Sequence, residues 1–430
     1  MDQKLSEGDI RGAVRAVSCD VGLAPFSPQT LSLLKEKHPR QQEEHDSGQA
    51  ALREESLSET TYLTTSEEGV RKAVKSFPSG SSGGPDGLRP LHLKDLMSGS
   101  AGDGGISLTS SLTALINMIL RGETCPAALS VLFGASLCAL EKKGGGIRPI
   151  AVGTTIRRIA GKVISSHVMV EMGRKLRPVQ LGYGTKSGCE AAIHSVRQFC
   201  GDDHAAPKVI FKGDYTNAFN SISRRAVLRK TKELVPSALP YTLQAYKQAT
   251  TLFFGDFRLT SECGVQQGDP LGPLLFSIAI HDLAVSLQSE MKVWYLDDVT
   301  VGGEPSDVLM DLRKIQSESK EIGLSLNNSE SEVIIIGANR EQADIIASDF
   351  LEVAPGIKIV PHEKATLLGS PLADEGISGI IDDKVEALER LKENLTYIGK
   401  DNSLYLLKNC FLLPKHGRTH THRGHLTMTK

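Results

Sequence analysis

The sequence predicts an α+β fold, and two features of its apolar patterning predict it. Two pairs of short apolar runs are joined by tight turns and read as β-hairpins, Leu137–Leu140 with Ile147–Val152 and Val293–Leu296 with Val299–Val301. Helical patterns then fall between and around the strands in irregular order, not in the regular alternation of a doubly wound sheet. With 430 residues, 40% hydrophobic and 23% charged, the chain suits two or three globular domains.

The elements follow in chain order. Residues 1–40 form an N-terminal helical extension, with one helical pattern from Leu5 to Val17 and loop signals at Ala24-Pro25-Phe26-Ser27-Pro28. Residues 41–64 read as a flexible acidic linker: between Gln41 and Val70 there are eight acids against the single base Arg53. Thr65-Ser66-Glu67-Glu68 has the form of a capping box, followed by Val70, Val74 and Phe77 at helical spacing. A Gly/Ser/Pro loop spans Pro78 to Gly87. A second helix carries Leu112, Leu115, Ile116 and Ile119 and ends at Gly122.

The first hairpin turns at Lys142-Lys143-Gly144-Gly145-Gly146. Val209-Ile210-Phe211 is a short strand leading to Asp214, Leu271–Leu287 reads as one buried helix, and Asp297-Asp298 forms the turn of the second hairpin. Val385, Leu388, Leu391, Leu395 and Ile398 mark a late amphipathic helix. Residues 416–430, with four His and no periodicity, read as an aberrant disordered tail.

Charge and cysteine usage narrow the class. The net charge of −2 does not advertise a nucleic-acid binder, but ten Lys or Arg stand against the single acid Glu171 between Lys142 and Lys186. A phosphate-binding surface needs that kind of local concentration, and solvated basic helices would look the same. Seven scattered cysteines without a Cys-x-x-Cys pair fit reduced thiols better than disulfides or a zinc site. No apolar run is long enough to cross a bilayer, and no signal-peptide pattern starts at Met1.

Three motifs carry chemistry in combination. Asp297-Asp298 alone would fit an ordinary surface turn, although adjacent carboxylates resist joint ionisation unless a cation relieves them. Asp214 closes another apolar strand and is followed by Tyr215-Thr216-Asn217-Ala218-Phe219. In-line nucleotidyl transfer uses two cations about 4 Å apart, and three carboxylates from neighbouring strand ends are a minimal oxygen set for them. Between the two lies Gly264-Val265-Gln266-Gln267-Gly268-Asp269-Pro270, a loop whose glycines allow close backbone approach.

Asp214-x-x-x-Ala218-Phe219, then Gln267-Gly268 before Pro270, then Tyr295-x-Asp297-Asp298, resembles the ordered motifs of reverse transcriptases. The flanks are similar to eukaryotic non-long-terminal-repeat retrotransposon polymerases: Lys4–Val14, Gly84-Pro85-Asp86-Gly87 through His92, and Gln180-Leu181-Gly182-Tyr183-Gly184. They most resemble lineages whose full products also carry zinc fingers and a restriction-like endonuclease, and the likeness runs from Lys4 to about Lys415.

The resemblance implies a right-hand polymerase with N-terminal helices and fingers over residues 65–208, an antiparallel palm over 209–372 and the start of a thumb over 373–415. It implies two Mg²⁺ ions on Asp214, Asp297 and Asp298 with the Tyr215 carbonyl, and Ala218 and Phe219 at the nucleotide, Phe219 excluding a 2′-hydroxyl. Arg148, with Lys142 or Lys143, would clamp the triphosphate, since a planar guanidinium pairs with phosphate oxygens. Gln267 and Gly268 would line the nucleotide pocket, and Leu368 and Gly369 would grip the primer.

The implied partners are a template RNA, a DNA primer and deoxynucleoside triphosphates, and the resemblance implies an intracellular, nuclear setting. Two departures favour an alternative, an impaired remnant that at most binds nucleic acid. Glu330 stands where relatives commonly have Lys, and the chain leaves the relatives' pattern after Lys415, as a truncated copy would. A third reading, an RNA-copying RNA polymerase, is opposed by the bulk of Phe219.

Overall fold

The computed structural model describes residues 4–5, 8–18, 22–40, 62–142, 145–202 and 204–411. Most of the acidic 41–64 stretch, Lys143, Gly144 and the 416–430 tail therefore lie outside the described residues. The chain divides into two compact units. One comprises residues 1–22, 77–81 and 378–430, and the other residues 23–76 and 82–377.

The larger unit holds two main sheets, built from β1 (Ala135–Glu141), β2 (Ile147–Gly153), β3 (Lys208–Gly213), β4 (Thr250–Phe254), β5 (Phe257–Ser261), β6 (Met291–Tyr295), β7 (Asp298–Gly303), β8 (Glu332–Ile336) and β9 (Lys358–Ile359). The first sheet has the order β2-β1-β4-β5. Its two antiparallel hairpins are joined by a short parallel contact, Ala135↔Leu252 and Ser136↔Phe253. Period-2 alternation in β1 turns Ala135, Leu137 and Ala139 inward with Leu252, Phe254 and Leu259. Leu34, from a helix over Pro28–Glu36, completes that core. Ser27 caps this helix, accepting from Thr30 N at 3.2 Å, with Pro28 in the first turn.

The second sheet has the order β6-β7-β3-β8-β9 and is antiparallel except for the β8–β9 pair. Its central strand is covered on both faces, which is why Val209, Ile210 and Phe211 are consecutively apolar and fully buried. The helix Pro305–Glu321 packs on β3 and β7 through Val308, Leu312 and Ile315. The helix Gly188–Gly201 lies on the other face, where Ala192, Ile193, Val196 and Phe199 meet Ile210, Val293 and Ile334. A two-residue turn, Leu368-Gly369, joins β10 (Thr366–Leu367) to β11 (Ser370–Pro371) against the same core.

In the smaller unit Val17, Leu391, Leu395, Leu406 and Phe411 form one cluster. It draws on the N-terminal helix Ile10–Ser18 and the late helix Ile377–Leu395.

Three local expectations need correction. The cap of the helix Glu67–Lys75 is Ser66 rather than Thr65, since Gly69 N donates to Ser66 Oγ. The stretch Leu271–Leu287 is two helices, Gly272–Ala279 and His281–Ser286, because the first packs on the helix Arg224–Leu234 and the second on Pro305–Glu321. Asp298 pairs with Tyr295 as the first residue of β7, so the hairpin turn is Leu296-Asp297 and not the Asp pair.

Candidate active site

The strand register brings the acids together. Gly213 pairs with Val299 at the end of the β3–β7 ladder, so the next residues outward, Asp214 and Asp298, stand side by side, and Asp297 follows in the turn. Asp214 is framed by the segment before β8. Its N–H donates to Ser331 Oγ at 3.1 Å, its carbonyl accepts from Asn327 N at 2.8 Å, and the Asn327 side chain bonds its carboxylate. Asp214, Asp298, Glu330, Glu332, Lys212 and Leu368 line one cavity of about 230 Å³. Glu332 is tied to Lys212, and Glu330 to Lys358 at 3.2 Å.

All three aspartates are shifted toward the protonated form. Burial lifts Asp298 most, with Asp297 and Asp214 adding to it, to about 6. Burial also raises Asp297, helped by Asp214 and opposed by Arg148 and Lys142. Asp214 is raised by burial and by Glu330, against Lys142 and Lys358. The donor set is oxygen only and short of positive charge, the chemistry a hard divalent cation satisfies. Among the described residues no three such side chains are gathered tightly enough to form a ready-made metal cluster. Asp214 and Asp298 are neighbours around a cavity, not a closed cage, with Asp297 in the adjoining turn, and their oxygen-only composition fits Mg²⁺.

The other sequence-predicted residues distribute around this point. Arg148 and Lys142 are exposed on the β1–β2 hairpin within electrostatic reach of Asp297. The Tyr215 ring is locked in the core, its hydroxyl 2.8 Å from Ser319 Oγ and its ring stacked on Trp294, which leaves only its backbone for any ligand. Ala218 is buried, and half-buried Phe219 stacks on Phe276 with ring centroids 4.8 Å apart. Val265 N donates to Phe219 O at 2.7 Å, and Gly264 has φ +66° where a Cβ would lie 2.3 Å from Phe219 O. The Gln267 carbonyl accepts from Ala151 N at 2.7 Å. A Cβ on Gly268, which has φ +114°, would lie 2.5 Å from Ala151 O. Only glycine allows the loop to meet β2 there. Leu368, with φ +48°, lines the acidic cavity, and Gly369 completes its turn.

Two groups of residues at this site were not singled out as functional from the sequence. Arg157 and Asp269 form a fully buried ion pair at 2.6 Å beneath the Gln267 loop, with Tyr246 OH on the same carboxylate oxygen. Burial alone would depress Arg157, but Asp269 more than offsets it and holds the guanidinium charged. Gln180, 1% exposed, bonds the backbone of Leu296. The only signal for either was a polar residue inside an otherwise apolar or glycine-rich stretch.

Residues 140–372 match the family model described as reverse transcriptase (RNA-dependent DNA polymerase). The chain is 28% identical over 239 residues to the retrotransposable element SLACS 132 kDa protein of Trypanosoma brucei gambiense, covering 53% of this chain and 20% of that one. It is 25% identical over 257 residues to the retrovirus-related Pol polyprotein from type-2 retrotransposable element R2DM of Drosophila melanogaster, covering 57% and 23%. With the type-1 retrotransposable element R2 Pol polyprotein of Popillia japonica the identity is 26% over 215 residues, 45% and 30% of the two chains. The chain thus spans between a fifth and a third of the length of these relatives. Among the described residues no helix is long and apolar enough to cross a membrane. The chain belongs to the reverse transcriptase family.

Proposed function

We propose that this member of the reverse transcriptase family extends a DNA 3′ end on an RNA template, using deoxynucleoside triphosphates. The observation that carries the reading is Asp214 beside Asp298 at the end of the β3–β7 ladder, with Asp297 in the adjoining turn. In right-hand terms residues 81–208 would be fingers, 209–372 palm and 373–415 the start of a thumb. Asp214, Asp297, Asp298 and the Tyr215 carbonyl would hold two Mg²⁺, which when bound supply Lewis-acid activation of the primer hydroxyl and neutralise the leaving pyrophosphate.

The chain's own residues do the positioning. Arg148 and Lys142, near Asp297, offset the triphosphate's charge, and Lys143 belongs to the same hairpin. Phe219, stiffened by Phe276, presents a ring edge where a 2′-hydroxyl would need room. Gln267 and Gly268, fixed to Ala151, form the floor of the nucleotide pocket. Leu368 and Gly369 hold the primer end over the acidic cavity. Primer extension by the purified chain on an RNA template tests the proposal. Signal above an Asp297→Ala/Asp298→Ala control is expected, and equal signals would refute it.

One observation favours a second reading, a catalytically impaired chain. Glu330 lines the cavity with Asp214 and Asp298 and raises Asp214, so it adds negative charge where pyrophosphate would depart. Its pairing with Lys358 offsets part of that charge. Extension by wild type indistinguishable from the double-alanine control, together with retained binding of RNA, would select this reading.

A further inference from the structure

We propose that Gln180 is a positioning residue that fixes the Leu296-Asp297 turn, and so the placement of the Asp297 carboxylate. The inference rests on the polymerase reading for its consequence in turnover, but its geometry stands apart from that reading.

The turn needs an external hold. Leu296 is not glycine, yet it sits at φ +57°, in the left-handed region. A branched aliphatic residue stays there only where its surroundings determine the backbone. The hairpin pairing of Tyr295 with Asp298 closes the turn but leaves the N–H and C=O of Leu296 without partners inside it. Both groups are met by one carboxamide. Gln180 Oε1 accepts from Leu296 N at 2.8 Å, and Gln180 Nε2 donates to Leu296 O at 3.2 Å. The same Oε1 accepts from Gly182 N at 2.8 Å, so the clamp is itself oriented by its own backbone.

The surrounding chain is shaped to deliver that side chain. Residues 179–181 run alongside the outer edge of β6, with Trp294 N donating to Val179 O and Leu181 N to Trp294 O, both at 2.8 Å. Gln180 lies between these bonds and is 1% exposed, so water does not compete for its carboxamide. Gly182 abuts the turn so closely that a Cβ would stand 2.5 Å from Leu296 N, and Gly188 leaves no room for a Cβ beside Leu181 O. The sequence around Gln180 therefore spends two glycines on bringing a donor and an acceptor to one residue.

A carboxamide is the side-chain group that offers both functions in one plane, as a neighbouring strand's peptide would. Without it Leu296 can leave the left-handed region, and the residue that moves with it is Asp297. Gln180 touches neither substrate nor the reacting atoms, so with Mg²⁺ saturating its effect is on turnover and not on nucleotide affinity.

The test uses the full chain and two variants. Gln180→Met fills the same volume without polar atoms. Gln180→Asn keeps the carboxamide but is one methylene too short, and it guards against a Met variant that fails to fold. Hydrogen–deuterium exchange is read at the Leu296 amide, with the β6 and β7 ladder amides as internal references. Primer extension is read as kcat and as KM for the deoxynucleotide. Both variants are expected to speed exchange at Leu296 at least about tenfold with the ladders unchanged. At saturating Mg²⁺ they are also expected to lower kcat at least about tenfold while KM stays within about twofold.

Unchanged exchange at Leu296 overturns the clamp whatever the activity. Faster exchange with wild-type kcat overturns its role in turnover. A wild-type chain no more active than the Asp297→Ala/Asp298→Ala control defeats the polymerase reading, while the exchange result still decides the clamp.

Discussion

Asp269→Asn isolates the energetic support beneath the Gln267 loop. The carboxylate accepts from Arg157 Nη2 and Tyr246 OH, each at 2.6 Å, through Oδ2, and from Leu271 N at 2.9 Å through Oδ1. Asparagine preserves the shape and the Leu271 bond. It removes the charge and turns an NH₂ toward two donors. Arg157 would then be a fully buried guanidinium without a counter-charge, near a second one, Arg224. Burial, aided by the charge of Arg157, already lowers Arg224 to about 10. Breaking one side of a buried ion pair costs about 3–5 kcal/mol. Gln266 Oε1 and Phe133 O still accept from Arg157, which favours the lower half of that range.

Urea unfolding followed by fluorescence is suited to the measurement, because Trp294 is the chain's single tryptophan and is fully buried in β6. An expected loss of about 3 kcal/mol should shrink to about 1 kcal/mol or less in Arg157→Met/Asp269→Leu, where no buried charge is left unpaired at that pair. A loss below about 1 kcal/mol in Asp269→Asn alone would mean that the buried ion pair is not what supports this loop.

Other perturbations probe other links. Gly264→Ala forces a side chain into φ +66° and a Cβ to 2.3 Å from the Asn220 carbonyl carbon, so stability should fall by about 2–4 kcal/mol in the same urea assay. His281 is depressed by burial, with Lys230 adding and Asp282 and Glu233 opposing. A base whose folded pKa lies below its unfolded 6.5 binds fewer protons when folded, so stability present at higher pH is lost as pH falls below about 6.5. His281→Gln should flatten that part of the thermal stability profile. Phe219→Ala should raise ribonucleotide use relative to deoxynucleotide by at least about tenfold in primer extension, and an unchanged ratio would remove Phe219 from sugar selection.

Short apolar runs joined by tight turns made both hairpins visible in the sequence, and the run Val209-Ile210-Phe211 marked a short strand, which the structure buries on both faces. The tertiary pairing of Gly213 with Val299, which sets Asp214 beside Asp298, could only be inferred from the order of the motifs, because nothing local encodes it. The break at Ile280 was illegible for the same reason. No Gly or Pro interrupts Leu274–Leu287, and the two halves separate because they meet different neighbours. Gln180 and the Arg157–Asp269 pair were hidden more deeply, since a polar residue reads as exposed until its buried partners are known.

Charge balance bears on how the proposed nucleotide site would engage a cation. Asp214, Asp297, Asp298, Glu330 and Glu332 stand against Lys142, Arg148, Lys212 and Lys358, so these acids outnumber these bases by one. Two of the bases are already engaged, Lys212 by Glu332 and Lys358 by Glu330. Lys142 and Arg148 remain on an exposed hairpin, opposite the three aspartates. A bare triphosphate entering there would meet a net negative floor and be repelled. One arriving with divalent cations would meet carboxylates whose mutual repulsion those cations relieve. On the polymerase reading, nucleotide and cation affinity are therefore coupled. Tighter binding of one should tighten the other by the same factor, because linkage is reciprocal. Neutralising Glu330 would weaken that coupling from the cavity side, whereas removing Arg148 would strengthen the demand for cation.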